Sequence, residues 1–466
     1  MREPALACIR TPEPFDRKKR KERSMAGRSQ ERSVEEYSDV RVGAGADGMP
    51  NWDRRELAMD FAETAQKRPG VDVPFLALTL VILLIGVVMV LSASFARAYY
   101  LSGEPMRFFS RQLVFAISGV SLMLLVSRIK VSTMSRWSLH LLLISVALLV
   151  LVLIIGIKLN GARRWIGVGA ENSSFTFQPS EIAKVAVILS FAQLMCKFGK
   201  MRMRTFRYGV VPFAAITCVM LVLLEQEPHL SAAIIITLLA VIMMFAGGTR
   251  LRFMILCGLL VALLCGLLIY AGVRGLPKEE GSQSLKQQLT EVKWGDTYGY
   301  AGERIDAWLN PDADPLGDGF QIRQSLFAVG SGGLLGQGLG RSRQKYLYLP
   351  EEHNDYIFAI VCEELGYIGA LLILLLFTLL IIRGYWLALN AKDKYSSLIT
   401  IGITSLLAIQ VFLNVAVVTN LVPATGISLP FFSYGGTALW IQLVQMGIIL
   451  AVSREIPQDM KRKDPV

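Results

Sequence analysis

The chain has 466 residues, 53% of them hydrophobic, and a formal net charge of +11. Its apolar residues lie in long, nearly charge-free runs, each close to the ~20 residues that cross a bilayer as helix. A soluble multidomain protein is therefore excluded, and one multi-spanning domain is expected. None of the six cysteines has a CxxC neighbour and the three histidines form no metal-binding pair, which argues against a disulfide framework and a zinc site.

Residues 1–72 are polar and charge-rich, with a basic cluster at Arg17, Lys18, Lys19, Arg20, Lys21 and Arg23. This composition predicts a disordered basic cytoplasmic tail. No apolar segment follows the basic residues closely enough for a signal peptide. Apolar runs then predict ten spans, at 73–94, 112–128, 138–157, 180–197, 209–224, 229–247, 253–273, 355–382, 396–416 and 434–453. The expected fold class is all-α: a polytopic membrane domain over 73–453, followed by a short cytoplasmic C-terminal tail at 454–466.

Loop charges orient the spans. Arg128, Lys130 and Arg136, then Lys197 to Arg207, Arg250 and Arg252, Arg383 to Lys394, and Arg454 to Lys463 all fall on the side of the basic tail. Both termini are thus expected in the cytoplasm. Anionic lipid accounts for these cations, and no nucleic acid is required. Three Gly/Pro-rich segments are left on the outside: 158–179, the large loop 274–354 between the seventh and eighth spans, and 417–433. Within the large loop, 275–303 reads as solvated, 320–330 as a short interfacial helix, and GSGGLLGQGLG as a re-entrant turn.

Several residues in these segments can carry chemistry. Asp355 borders the eighth span, where an acid is costly unless it has a function. It reads either as a helix-capping acid favoured by the dipole or as a general base tuned by Glu351, Glu352 and His353. Arg163 and Arg164, followed by Trp165, run against the positive-inside trend and suit an anionic ligand or lipid headgroups. Glu181 and Lys184 can pair at i,i+3, and a lipid diphosphate would also account for the ammonium. Glu363 and Glu364, two turns into the eighth span, read first as structural pairing and second as chemistry. Asp312-Ala313-Asp314 imitates a metal-dependent transferase motif but fits a Pro-bounded turn better. GSGGLLGQGLG lacks the lysine and the preceding strand of a P-loop.

Four segments occur in order in the expected loops: NGARRWIGVG…FQPSEIAK (160–184), RIDAWLNPDADPLGDGFQIRQSL (304–326), GLGRSRQKYLYLPEEHNDYIFAIVCEELG (338–366) and PATGISLPFFSYGGTAL (423–439). With the ten spans they resemble the SEDS family of bacterial cell-wall proteins (shape, elongation, division and sporulation), which comprises FtsW, RodA and SpoVE. QKYLYLPEEHND and PFFSYGGT are most similar to the division member FtsW and its sporulation relative SpoVE, and less similar to RodA. The chain departs from the pattern of some members at His229, where an acid is common, and at Thr425, where some carry Lys.

The resemblance implies a peptidoglycan glycosyltransferase acting on lipid II, a disaccharide-pentapeptide on undecaprenyl pyrophosphate, in septal cell-wall synthesis. It implies a class B penicillin-binding protein and other divisome membrane proteins as partners, at the cytoplasmic membrane of a bacterium. The family's essential acid, in its LPExHxD motif, falls on Asp355. Substrate contacts are then expected from Arg163, Arg164, Trp165, Lys184, Lys345, Glu351, His353 and Ser433. Transfer from an α-linked diphosphate to a β-linked glycan inverts the anomeric centre. One base is enough for that step, whereas glycoside hydrolysis uses two carboxyls. No cofactor is expected apart from a divalent cation, Mg or Mn, as an alternative counter-charge for the leaving group. A lipid II flippase or transporter and a non-catalytic division scaffold are the competing readings. A flippase predicts polar residues running through the bilayer, whereas here they gather on one side.

Overall fold

The computed structural model describes residues 70–159, 162–167, 176–227, 229–259, 294–312 and 318–456. The tail expected at 1–72 lies outside the described residues apart from 70–72, as do 260–293 and 457–466. Among the described residues, nine helices are long and apolar enough to cross a membrane. They include α1 (Val73–Ser102), α2 (Arg107–Val126), α3 (Val131–Ile155) and α4 (Pro179–Met203). Next, α5 (Phe206–Gly209) and α6 (Val211–Gln226) together make one span, and α7 (Leu230–Gly247) another. Two shorter helices follow, α8 (Trp294–Leu309) and α9 (Asp318–Ser331), before the last three spans, α10 (Ile357–Leu389), α11 (Lys394–Val418) and α12 (Gly436–Glu455). Nine of the ten expected spans thus have a helix. The remaining one, the seventh at 253–273, is helical over its described part, which ends at 259.

Local sequence accounts for the helix ends. Asp72 N-caps α1, accepting from the Phe75 amide at 3.0 Å, with Pro74 in the first turn. Gly103, at φ 69°, stops that helix in the left-handed conformation. Asp393 caps α11 through the amides of Tyr395 and Ser396. The chain is already packed at Asp72: its carboxylate meets Arg383 at 2.7 Å and its amide donates to Ser453 Oγ. Three termini are tied together there, at the end of the bundle opposite the site described below.

The helices form a centre and a periphery. The apolar windows of α4, α11 and α12 are 61%, 67% and 72% buried inside the protein, against 22% and 28% for α2 and α3. The central three place their polar side chains inside the bundle, and the peripheral ones present Leu, Ile and Val outward. Between α3 and α4 the chain leaves the all-α pattern. β1 (Ile157–Leu159), β2 (Ala162–Gly167) and β3 (Thr176–Phe177) form an antiparallel three-stranded sheet, with Ile157 opposite Trp165 and Ile166 opposite Phe177. Sequence had assigned this segment only as a loop.

The loop before α10 also differs in detail from expectation. α8 begins at Trp294, inside the stretch read as solvated, and α9 covers the interfacial helix expected at 320–330. GSGGLLGQGLG closes a break in α10. At Gly366 (φ 69°) the helix is interrupted, which leaves amides and carbonyls without helical partners. The glycine-rich loop supplies them: Gln337 and Gly338 amides donate to Glu363 O and Glu364 O, at 2.9 and 3.0 Å. Tyr367 and Ile368 amides donate in turn to Gly333 O and Leu334 O, at 2.9 and 3.1 Å. A Cβ on Gly366 would run into the Gly336 amide nitrogen, so the close approach requires glycine.

Candidate active site

A cavity of about 640 Å³ opens at the sheet end of the bundle. It takes Arg164 and Trp165 from β2, Gln178, Glu181 and Lys184 from the start of α4, His229 and Ser231 from the start of α7, and Arg304 from α8. Glu351, Asn354 and Asp355 enter from the segment before α10, and Gln410 from α11. Gly426, Ser433 and Tyr434 enter from the segment between α11 and α12. Elements far apart in sequence thus converge on one polar chamber above an apolar bundle.

Asp355 is held by its backbone. Asn414, fully buried on α11, donates through Nδ2 to Asp355 O at 2.8 Å and to Ile427 O at 2.7 Å, joining the two segments that meet there. Ser433 Oγ donates to Asn354 O at 2.9 Å, and the Tyr434 amide donates to His353 O at 2.9 Å. Glu351 sits in the left-handed region at φ 53°, an uncommon conformation for a residue with a Cβ, and so turns the chain toward the cavity. Across from the acid, Gly426 has φ 67°, and a Cβ there would lie 3.2 Å from Asp355 Oδ2. The bare backbone leaves room at the carboxylate.

The Asp355 carboxyl is pushed up to about 6 by burial and then by the neighbouring Glu351 carboxylate; Arg164, Arg304 and His353 pull the other way. An acid in that range is ionised near neutrality yet more basic than a solvated carboxylate, which suits a general base.

Strand alternation separates the two arginines: neighbouring side chains on β2 point to opposite faces. Arg164 lines the cavity, with Nε donating to Glu227 O at 3.4 Å, whereas Arg163 is exposed and reaches Leu153 O. Lys184 is 2% exposed and pairs with Glu181 at 2.6 Å, one helical turn into α4. Burial pushes the Glu227 carboxyl up to about 8, with Arg164 opposing it. Burial, and then the charges of Arg164 and Lys184, hold His229 well below the usual histidine value.

The structure thus brings Asp355, Arg164, Trp165, Lys184, Glu351 and Ser433 around one space. It leaves out three residues that sequence had grouped with them. Arg163 faces away. Lys345 is buried against Glu364 at 2.9 Å, with Ser92 nearby, and does not reach the cavity. His353 packs its ring on Phe108 and Tyr434 and lies 3.8 Å from Glu352, which binds Arg97 at 2.8 Å. Burial alone would raise Glu352, but His353 and Arg97 outweigh it and hold its carboxyl below the usual value. Glu363 takes Ser342 Oγ and the Arg343 and Gln344 amides, so both α10 acids are structurally paired.

Gln410 and Asn414 were missed, although polar residues one turn apart within an apolar span were a signal. Gly426 and Arg304 lie inside the longer family-like segments, and nothing in the sequence singles them out. Among the described residues, no group of three or more His, Cys, Asp or Glu side chains is arranged to hold a metal ion.

Residues 73–458 match the family of cell cycle proteins that comprises FtsW, RodA and SpoVE. The chain is 42% identical to stage V sporulation protein E of Bacillus subtilis over 391 residues, 83% of this chain and 98% of that protein. It is 38% identical to the probable peptidoglycan glycosyltransferase FtsW of Trichlorobacter lovleyi over 384 residues, 82% of this chain and 93% of that protein. A solved chain from a peptidoglycan synthase complex that coordinates polymerization and crosslinking superposes with a TM-score of 0.64 at 28% identity, covering 84% of this chain and 99% of that one. The chain belongs to the FtsW, RodA and SpoVE family and is a multi-pass membrane protein.

Proposed function

We propose that this family member is a peptidoglycan glycosyltransferase that polymerises lipid II in the cavity at the sheet end of the bundle, with Asp355 as general base. The observation that carries the reading is the Asp355 carboxyl itself: raised to about 6 by burial and Glu351, lining a polar chamber, with Arg164 and Arg304 opposing the rise from the same space. The relatives' glycosyltransferase name supports the reaction class.

In the step proposed, Asp355 takes the proton from the 4-hydroxyl of the acceptor sugar as its oxygen attacks C1 of the donor. The C1–O bond to the diphosphate breaks from the opposite face, so the anomeric configuration inverts. Diphosphate departs without needing a proton, and its growing charge meets Arg164, Lys184 and Arg304. Cations already fixed in a partly dry chamber lower the barrier most, because they need no reorganisation as charge develops. The prenyl chain lies along the apolar helices.

The loop charges support an orientation with the sheet end at the outer face of the cytoplasmic membrane and both termini inside. A class B penicillin-binding protein would then receive the glycan, in line with the synthase complex that the chain resembles. We propose septal synthesis as its role, in line with the likeness to FtsW relatives, with spore-wall synthesis as the alternative that the likeness to stage V sporulation protein E favours. Comparing depletion phenotypes in dividing and sporulating cells tests that assignment. The polar tail before Asp72 serves recruitment; deleting residues 1–70, which spares the Asp72 cap, should leave polymerisation of purified lipid II intact.

Asp355→Asn tests the central claim. A general base contributes roughly 10²- to 10⁴-fold, so the variant should lose that factor in lipid II polymerisation, assayed with the partner present, while its melting midpoint stays near the parent's. Normal glycan from a folded Asp355→Asn protein would end the proposal. Transbilayer movement of lipid II without polymer would favour a flippase.

A further inference from the structure

His229 begins α7, is 7% exposed, and lines the cavity. Its Nε2 lies 3.3 Å from Gln178 Nε2. An amide nitrogen only donates, so the ring nitrogen facing it is the acceptor, and the proton of the neutral ring sits on Nδ1. Among the described residues, Nδ1 has no hydrogen-bond partner. A buried donor without an acceptor is costly to keep, and such groups are rare unless a ligand completes them. Burial and the charges of Arg164 and Lys184 keep the ring neutral, so its donor adds no further cation to that wall. Glu227, two residues before it, is itself held largely protonated by burial. The acceptor that suits a neutral N–H beside two cations is an anionic oxygen.

We propose that His229 contacts the diphosphate of the prenyl-linked sugar donor, its Nδ1–H donating to a diphosphate oxygen in company with Arg164 and Lys184. The inference rests on the glycosyltransferase reading of the cavity and adds a substrate contact to it. Among the cavity groups on the diphosphate, His229 is the one that reads hydrogen-bond geometry without charge.

The test measures binding of undecaprenyl diphosphate and of undecaprenol to the full-length protein in phosphatidylcholine nanodiscs. Loss of a hydrogen bond to a charged group costs about 10- to 100-fold in affinity. His229→Leu should lose that factor for undecaprenyl diphosphate and stay within about twofold for undecaprenol. His229→Asn, which keeps an N–H near the Nδ1 position, should remain within about threefold of the parent, whereas His229→Gln, which carries its amide further out, should not. Melting midpoints accompany every variant, and the Asn-to-Gln contrast decides the matter if the Leu protein does not fold. Equal affinity in His229→Leu, equal losses in Asn and Gln, or a parallel loss for undecaprenol would overturn the contact. Adding phosphatidylglycerol to the discs should leave these differences standing; their disappearance would assign the donor to lipid headgroups and overturn it as well. Asp355→Asn should bind undecaprenyl diphosphate like the parent and fail to polymerise. Polymerisation by that variant would defeat the glycosyltransferase reading while leaving the His229 binding result to stand alone.

Discussion

Two clusters of charge flank the start of α10, and they are built on opposite principles. On one side Lys345, Glu363, Glu364, Ser92 and Ser342 saturate one another: Glu364 alone takes Lys345 Nζ at 2.9 Å, Ser92 Oγ and the Ser342 amide. On the other, Asp355, Arg164 and His229 line an open volume, with the Glu181–Lys184 pair at its wall, and Asp355 is raised first by burial and then by a neighbouring carboxylate. Charge that has been neutralised internally holds a fold together. Charge that lines a cavity can meet a ligand there. The same residue types, a few positions apart in sequence, therefore serve different ends.

The largest expected effect belongs to the saturated cluster. Removing one member of a buried pair strands the other, typically at 3–5 kcal/mol. Lys345→Ala should therefore lower stability by about that amount, read by thermal unfolding in detergent, and the folded fraction should polymerise normally. Joint replacement, Lys345→Met with Glu364→Leu, should recover most of the loss. A Lys345→Ala protein that is stable but inactive would move Lys345 into the site and erase the distinction.

The open cluster predicts smaller energies and larger changes in activity. Gly426→Ala forces a Cβ into a left-handed backbone at φ 67°, 3.2 Å from Asp355 Oδ2. It should cost about 1–2 kcal/mol of stability and lower lipid II turnover by at least tenfold, roughly.

The pH dependence sharpens the comparison further. A base must be ionised to act, so the rate should rise with pH through a midpoint near 6. The Glu351 carboxylate raises Asp355, so Glu351→Gln should move that midpoint to lower pH. An unmoved midpoint would mean that another group titrates. Smallest of all, Arg163→Ala should change turnover by less than about twofold and stability by less than about 0.5 kcal/mol, while Arg164→Ala raises the KM for lipid II.

Most of the membrane bundle was legible in the sequence, because a run of apolar residues declares a span without reference to anything else in the chain. Asp355 was legible for the converse reason: an acid at the end of such a run has to be explained. The misreadings all concern direction or distance. Lys345 stands near Asp355 in sequence, but left-handed residues at Leu347 (φ 66°) and Glu351 (φ 53°) turn the chain between them, and its nitrogen ends against Glu364. Arg163 and Arg164 looked equivalent until strand pairing put them on opposite faces. Asn414 joins Asp355 to Ile427 through two carbonyls, and no one-dimensional pattern announces a bond of that kind.

The break in α10 has a consequence for how the chain tolerates change. The amides that mend the helix come from Gln337 and Gly338, and the same stretch of chain runs on to deliver Asp355. The loop is thus pinned at both ends, by the seam at Gly366 and by Asn414 at Asp355. Its length is therefore fixed to the residue. Adding or removing one position between Gly338 and Asp355 would force a choice between an intact span and a placed acid, so the segment is expected to accept exchanges of side chains far more readily than changes in number.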